Sequence, residues 1–474
     1  MMNFEGIIGL EIHVGMKTKT KMFSSAPVSF GKEPNTMVAP FDMAFPGSMP
    51  TVNKQAVINA IRVCHALKME IDNELWFDRK NYFYSDLPKG YQITQKRRPI
   101  GKSGSLTINT STGIKTIRLE RLQIEEDACK QIHYNDYTLI DYNRAGIPLL
   151  EIVSYPDFRS GEEAMRFVEK IRSIVTFLNV SSGKMEEGSL RCDVNVSVRP
   201  IGSKEYGKVV EIKNINTLNN IQRAIDFEIE RQTKILLKGE VVKKETRRFD
   251  ENKKETVLMR NKTDDVDYKY FTEPNIAPIK LSKEFIDEAI KSSPALADER
   301  KIKYLEMGLS EYNSNLLLTN KETSDYFEDV VGEGVKPELA ANWINVQIQT
   351  LLKKNNQTIE NFQIQPKELA KLLRQLDKGV INNKQAREIF NEMIVTGKSF
   401  NEIDNKVVLL SNESELLAII DQVLDNSPRL VTDFKNGKDK VVGYIVGQIM
   451  KDTRGSANPE VTNKLVVRRL KERM

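Results

Sequence analysis

Met185-Glu186-Glu187-Gly188-Ser189-Leu190-Arg191-Cys192-Asp193-Val194-Asn195-Val196-Ser197-Val198 runs from a polar turn into an extended segment with two chemically different faces. Side chains of an extended chain alternate sides, so Cys192, Val194, Val196 and Val198 form an apolar face and Arg191, Asp193, Asn195 and Ser197 the opposite one. A merely solvated face more often carries Lys, Glu and Thr. A charge pair with two short hydrogen-bonding groups, beside a Glu-Glu-Gly turn, suits metal and phosphate binding. The alternation recurs in Gly9-Leu10-Glu11-Ile12-His13-Val14, where Glu11 and His13 share the face opposite Leu10, Ile12 and Val14. Gln123 and Glu125 behave likewise, Glu151 stands inside the apolar run from Ile147 to Val153, and Glu211 inside Val209-Val210-Glu211-Ile212. A carboxylate in such a run is costly unless paired or metal-bound. Singly, each reads as a salt-bridge partner or an edge residue. Several together with one His, and few alternative nucleophiles, point to an oxygen-ligand site for a hard cation such as Mg²⁺ handling a nucleoside triphosphate.

Composition sets the limits around that site. A chain of 474 residues, 40% hydrophobic and 29% charged, can bury a sizeable core in two or three domains. Neither a membrane-spanning apolar run nor a signal peptide is evident, so a soluble, cytoplasmic protein without a membrane partner is expected. Cys64, Cys129 and Cys192 are too far apart for a disulfide framework or a zinc pattern and read as small buried hydrophobes. There is no phosphate loop, Rossmann fingerprint or kinase motif set. Gly188-Ser189-Leu190 is no nucleophile elbow, and His13, His65 and His133 offer no triad. His65, in the apolar stretch Val57 to Leu67, reads as a packing residue.

The pattern changes near residue 290. Before it, short β-rich runs alternate with turns and two helices: one opened by the capping box Ser160-Gly161-Glu162-Glu163, the other around Ile221 to Leu237. After it come helical stripes: Leu369, Leu372, Leu373 and Leu376; Ala386, Ile389, Phe390 and Met393; Leu416, Ile419, Ile420 and Val423. Breaks are expected in the polar segment 355–365 and the loop 399–412. The division is therefore 1–293, 294–406 and 407–474, an α+β chain whose β-rich first part is followed by two all-α parts. The net charge of +5 is modest for this length. The stretch Lys464 to Arg473 nevertheless reads as an amphipathic basic helix, either a solvated face or a phosphate-binding one.

Long blocks of sequence carry a resemblance. Ile8 to Val14, Phe77 to Tyr84, Leu87 to Ile93, Asn143 to Gly146 with Pro148 to Ser154, Met185 to Asp193, Glu211 to Asn214, Glu245 to Arg248, Tyr268 to Pro274, and Gly447 to Lys451 leading to Ala457-Asn458-Pro459 are similar to the B-subunit family of the tRNA-dependent amidotransferases, over essentially the whole length. The resemblance implies a cradle-shaped catalytic domain of antiparallel β structure, then a helical domain and a tail that grips tRNA. It implies ATP-dependent phosphorylation of the side-chain carboxylate of misacylated Asp-tRNA(Asn) or Glu-tRNA(Gln), and amidation with ammonia that an amidase A subunit releases from glutamine. A small C subunit completes the heterotrimer. ATP and Mg²⁺ are the implied cofactors.

The family match makes His13, Glu125 and Glu151 the first metal ligands, with Glu11, Asp193 and Glu211 as ligands or supports. Glu125 is also a candidate catalytic group. Arg79, Lys80, Arg191 and Lys213 are candidates for phosphate or substrate contacts, and Glu186, Glu187 and Ser189 for holding the nucleotide. Tyr82, Tyr84 and Tyr91 either pack the domain or stack on the terminal adenosine of tRNA. Lys451, Arg454, Arg468, Arg469, Lys471 and Arg473 are candidate tRNA contacts. Where many members carry paired cysteines for zinc, this chain has Phe23-Ser24-Ser25-Ala26 and Ala39-Pro40-Phe41-Asp42, so no zinc is expected. Gln123 and Cys129 stand where the family has His and Gly, and Thr272, Asn275 and Asn313 also depart from its pattern. A paralogue amidating another carboxylate, or a non-catalytic tRNA-binding subunit, is the alternative.

Overall fold

The computed structural model describes residues 4–261, 267–403, 413–436, 438, 440–453 and 457–473. They form two compact units, Met1–Ala297 and Asp298–Met474. The division thus follows residue 297, where the sequence suggested 293, and the boundary expected near 406 lies outside the described residues.

The first unit is built on a nine-stranded sheet. Its order is Glu255–Asn261, Glu245–Asp250, Val210–Lys213, Leu190–Pro200, Phe4–Gly15, Pro148–Ser154, Gly113–Glu126, Gly101–Thr110 and Glu70–Ile71. Neighbours are antiparallel except Val210–Lys213 with Glu245–Asp250, which run parallel. A parallel pair needs a crossover, and the helix Leu218–Leu237 supplies it. That makes a mixed sheet where an antiparallel one was expected, within the same α+β class.

Strands Phe4–Gly15 and Leu190–Pro200 alternate in burial along most of their length. Leu10, Ile12, Val14, Cys192, Val194 and Val196 belong to one core cluster with Phe167, Ile171, Val175, Ile221 and Ile225 from two helices. One sheet face is thus covered, and the other presents the polar side chains. A third helix, Lys54–Ala66, was not anticipated as such; Asn53 caps it, and Ala56, Val57, Ala60, Ile61 and Cys64 bury its inner face. His65 lies on its exposed side, not in the packing. At the helix Gly161–Phe177 the capping box is one-sided. The Ser160 side chain accepts from the Glu163 amide, but the Glu163 carboxylate accepts from the Arg159 amide at 2.6 Å and not from Ser160.

The second unit holds two apolar clusters, one from Tyr304 to Ile403 and one from Leu416 to Leu470. The expected stripes lie on the helices Pro366–Asp377, Asn383–Thr396 and Glu413–Asn426. Segment 355–365 is not a free linker, because Ile359, Phe362 and Ile364 are buried in the first cluster. Among the described residues no helix is long and apolar enough to cross a membrane.

The helices Gly161–Phe177 and Leu218–Leu237 meet through backbone. A Cβ at Gly161 would stand 2.5 Å from the Gln222 carbonyl oxygen, whereas one at Gly443, in the helix Lys440–Asp452, would meet nothing within 4 Å among the described residues. Gly161→Ala should therefore destabilise the first unit by ~1–3 kcal/mol through overpacking. Gly443→Ala should be stabilising by up to ~1 kcal/mol, the helix-propensity gain. Thermal unfolding of the two variants checks the opposite signs.

Candidate active site

Pairing registers collect the polar residues. Residues opposite one another in an antiparallel pair share a face, so Arg191, His13, Glu151 and Gln123 form one row across four strands. Asp193 faces Glu11 in the next row, and Glu211 faces Asn195 beyond it. Residues far apart in sequence become neighbours because the apolar face fixes the register.

Within these rows Glu11, His13 and Glu151 each offer a ligand atom, all within 4.8 Å of one another. His13 Nε2 lies 3.6 Å from Glu11 Oε1 and 3.6 Å from Glu151 Oε2. Two carboxylates and an imidazole converging on one polar face fit a divalent cation that takes oxygen and nitrogen donors. Glu125 stands beside this triplet, not within it. Its Oε1 accepts from Thr94 Oγ1 at 2.6 Å and Gln123 Nε2 at 2.8 Å, and its Oε2 from Gln92 Nε2 at 3.3 Å.

Burial and mutual repulsion divide the charge. Complete burial, and then the charge of Glu151, push Glu125 up to about 7. Burial alone would raise Glu151 as well, but the contact with His13, helped by Arg121 and Lys80, brings it down to about 2. Glu151 thus keeps its charge while Glu125 takes a proton readily. Burial would lower His13, yet Glu151 and Glu11 hold it above its ordinary value. Glu11 is raised by burial and by Glu151.

The candidate cations have different fates. Lys80 stays charged although burial opposes it, because Glu125 is close, and its ammonium lies 4.8 Å from the Tyr268 ring centre. Lys213 is held between Asp193, at 2.5 Å, and Glu211, at 3.3 Å. Arg79, by contrast, binds Glu273 with two hydrogen bonds of 2.6 and 3.0 Å and lies on the Tyr91 ring at 3.9 Å. That pairing ties up the planar fork and one ring face of Tyr91. Arg191 pairs with Asp127 at 2.9 Å, and its buried Nε has no hydrogen-bond partner among the described residues. Of the turn candidates, Glu187 pairs with Lys184 at 2.9 Å and the Ser189 hydroxyl accepts from Ser182 at 2.7 Å, while Glu186 is exposed. Tyr82 packs edge-on against Tyr268, and Tyr84 is exposed.

Thr94, Gln92 and Arg121 escaped the sequence reading. Thr94 and Gln92 come from the strand Tyr91–Thr94, which pairs with Asp78–Asn81 so that Lys80 faces Gln92. Alternation within Gln92-Ile93-Thr94 was the available signal. Ser24 and Asp42 meet in a buried polar knot: Lys21 pairs with Asp42 at 3.2 Å, and Asp42 accepts from Ser24 Oγ at 3.1 Å. Cys64, Cys129 and Cys192 are buried and free.

In the tail, much of the basic face is already matched by acids. Arg469 binds Asp421 at 2.8 and 2.7 Å, Arg473 bridges Asp421 and Asp425, and Arg468 pairs with Glu413 and Glu472. Lys451 and Lys471 are exposed. Arg454 lies outside the described residues.

Residues 6–287 match the GatB/GatE catalytic domain and residues 325–470 the GatB domain. The chain belongs to the GatB family. It is 46% identical to the B subunit of the aspartyl/glutamyl-tRNA(Asn/Gln) amidotransferase from Mesoplasma florum, covering 99% of this chain and 98% of the relative. The B subunits of the same enzyme from Bacillus cytotoxicus and Mycoplasma mycoides subsp. mycoides are 44% identical over the full length of both chains. This GatB chain is accordingly the B component of an amidotransferase, a ligase-type enzyme of protein biosynthesis, and the catalytic-domain match encloses every residue of the polar rows.

The Arg79 geometry makes a discriminating prediction for this family member. Arg79→Ala leaves Glu273 buried without its cationic partner, with only the Asn275 amide still donating to it, which costs ~3–5 kcal/mol. Thermal unfolding should show that loss, and the variant's nucleotide affinity at a temperature where it stays folded should be unchanged. Weaker nucleotide binding without loss of stability would make Arg79 a substrate contact.

Proposed function

We propose that this chain activates the side-chain carboxylate of misacylated Asp-tRNA(Asn) or Glu-tRNA(Gln) at the face built from Glu11, His13, Glu151, Glu125, Lys80 and Lys213. The convergence of Glu11, His13 and Glu151 carries the reading, in a chain collinear with amidotransferase B subunits from end to end. A carboxylate is a poor electrophile because its leaving group would be oxide. Transfer of the γ-phosphoryl group of ATP to a carboxylate oxygen gives an acyl phosphate and ADP. Ammonia then forms the C–N bond, the C–O bond to phosphate breaks, and one proton is released with phosphate.

Glu11, His13 and Glu151 would hold Mg²⁺, with Asp193 and Glu211 behind them. Bound there, the ion would offset the charge of the triphosphate and of the approaching carboxylate. Lys80 and Lys213 supply fixed positive charge to the same face, where otherwise acid would face anion. Glu125, raised by burial and by the charge of Glu151 and hydrogen-bonded by Thr94 and Gln123, is the group suited to exchanging a proton on this face. Glu186, Glu187, Ser189 and Arg191 border the strand end next to His13 and are assigned to the nucleotide side. Ammonia comes from glutamine through an amidase A subunit that a small C subunit steadies, since this chain has no nucleophile arranged for amide hydrolysis among its described residues. The reaction takes place in the cytoplasm, where aminoacyl-tRNA is made. The helical parts, divided at about 406, serve to hold tRNA.

Glu125→Gln removes charge and little volume. In the assembled enzyme it should cut ATP hydrolysis stimulated by misacylated tRNA by at least ~100-fold, the scale of a lost acid–base group, measured at a temperature where the variant is folded, since its NH₂ would face the donor Gln92 Nε2 and cost some stability. Near-normal hydrolysis would make Glu125 a structural carboxylate.

The tail pairing refines the tRNA reading. Replacing Lys451 and Lys471 by Ala should flatten the salt dependence of tRNA binding by about one unit of slope per residue. Arg469→Ala should lower the stability of the tail helices and leave that slope unchanged. Binding titrations at several salt concentrations separate the two classes.

A further inference from the structure

Arg121 is assigned no part in the reaction above, yet its guanidinium touches both halves of the acidic site. Its Nη2 donates to Glu151 Oε1 at 3.3 Å, its Nε to Gln123 Oε1 at 3.3 Å and its Nη1 to Glu120 Oε1 at 2.9 Å. Gln123, almost fully buried, in turn donates from Nε2 to Glu125 Oε1 at 2.8 Å and Thr94 Oγ1 at 3.2 Å.

A buried amide in this position has two orientations. Turned over, it would set its oxygen against the Glu125 carboxylate and its NH₂ against the guanidinium, two repulsive contacts in place of two attractive ones. Arg121 therefore selects the orientation in which Gln123 donates to Glu125. The same guanidinium occupies Oε1 of Glu151, which leaves Oε2 directed at His13, 3.6 Å from Nε2. The sheet register brings this about: Arg121 lies opposite Val153 and Gln123 opposite Glu151, so one arginine spans two adjacent rows. Its planar fork reaches two acceptors at once, which a lysine ammonium does not do with fixed geometry.

We propose that Arg121 is a positioning residue that sets Glu151 and, through Gln123, Glu125 in the orientations the reaction uses. The proposal rests on the reading that Glu151 holds the divalent cation. Loss of a partner behind a metal ligand weakens the metal by about 10–100-fold, and that range sets the expected effect.

The test measures Mn²⁺ binding by electron paramagnetic resonance on the full chain carrying Arg121→Ala, Arg121→Lys or Glu151→Gln. Arg121→Ala should weaken Mn²⁺ by at least ~10-fold, and Arg121→Lys, which keeps the charge but not the fork, should weaken it too. Methylguanidinium added to Arg121→Ala should restore part of the affinity, because the site is partly open to solvent; a purely structural role would give no such rescue. In the assembled enzyme kcat should fall in Arg121→Ala while KM for tRNA stays constant. Unchanged Mn²⁺ affinity in both Arg121 variants alongside a weakened Glu151→Gln overturns the positioning role and leaves the cation reading standing. Unchanged affinity in Glu151→Gln overturns the cation reading, and the proposal with it.

Discussion

The first unit depends on the register of the strand Phe4–Gly15, which pairs with Leu190–Pro200 on one edge and with Pro148–Ser154 on the other. A slip of one residue would carry Glu11 and His13 into the apolar layer and expose Leu10 and Ile12. The cost of burying an unpaired carboxylate and imidazole, added to the loss of the Leu10, Ile12 and Val14 packing, makes the slipped pairing strongly unfavourable. The helices on the covered face thus determine the chemistry of the open one. Positioning by strands, not loops, also gives the donor atoms little freedom to wander before substrate arrives.

Electrostatics follow from that placement. Glu11, Glu125, Glu151, Asp193 and Glu211 are gathered on one face of the sheet, and their mutual repulsion in a poorly solvated setting is only partly offset by His13, Lys80, Arg121 and Lys213. Burial first, and then the charge of Glu151, raises Glu125 and Glu11, while the contact with His13, helped by Arg121, outweighs burial and lowers Glu151. The excess of carboxylates makes a divalent cation a natural complement to the face. Arg79 and Arg191 sit close by in sequence terms but are matched by Glu273 and Asp127, so they relieve little of this excess.

What could be read from sequence was periodicity and local chemistry. Alternation gave the two faces of segments 9–14 and 190–198, and the stripes gave the helices at 366–377, 383–396 and 413–426. Glu11, His13 and Glu151 stood out because each interrupts an apolar run. Partners across long separations were not legible: nothing near Arg79 announces Glu273, nothing near Arg469 announces Asp421, and the free basic face inferred for the tail helix was in good part an internal ion-pair network. The parallel pair of strands and the helix at 54–66 were missed for related reasons. A four-residue strand such as Val210–Lys213 carries no direction signal, and small residues such as Ala56 and Ala60 weaken the stripe that marks a buried helix face. The family resemblance supplied the chemistry, and the register supplied the neighbours.

Anomalous diffraction from crystals of the assembled enzyme grown with Mn²⁺ tests the central claim most directly, because it locates the cation without reference to activity. The account predicts a peak in coordinating contact with Glu11, His13 and Glu151. A peak elsewhere on the sheet face, with no contact to His13 or Glu151, would contradict it.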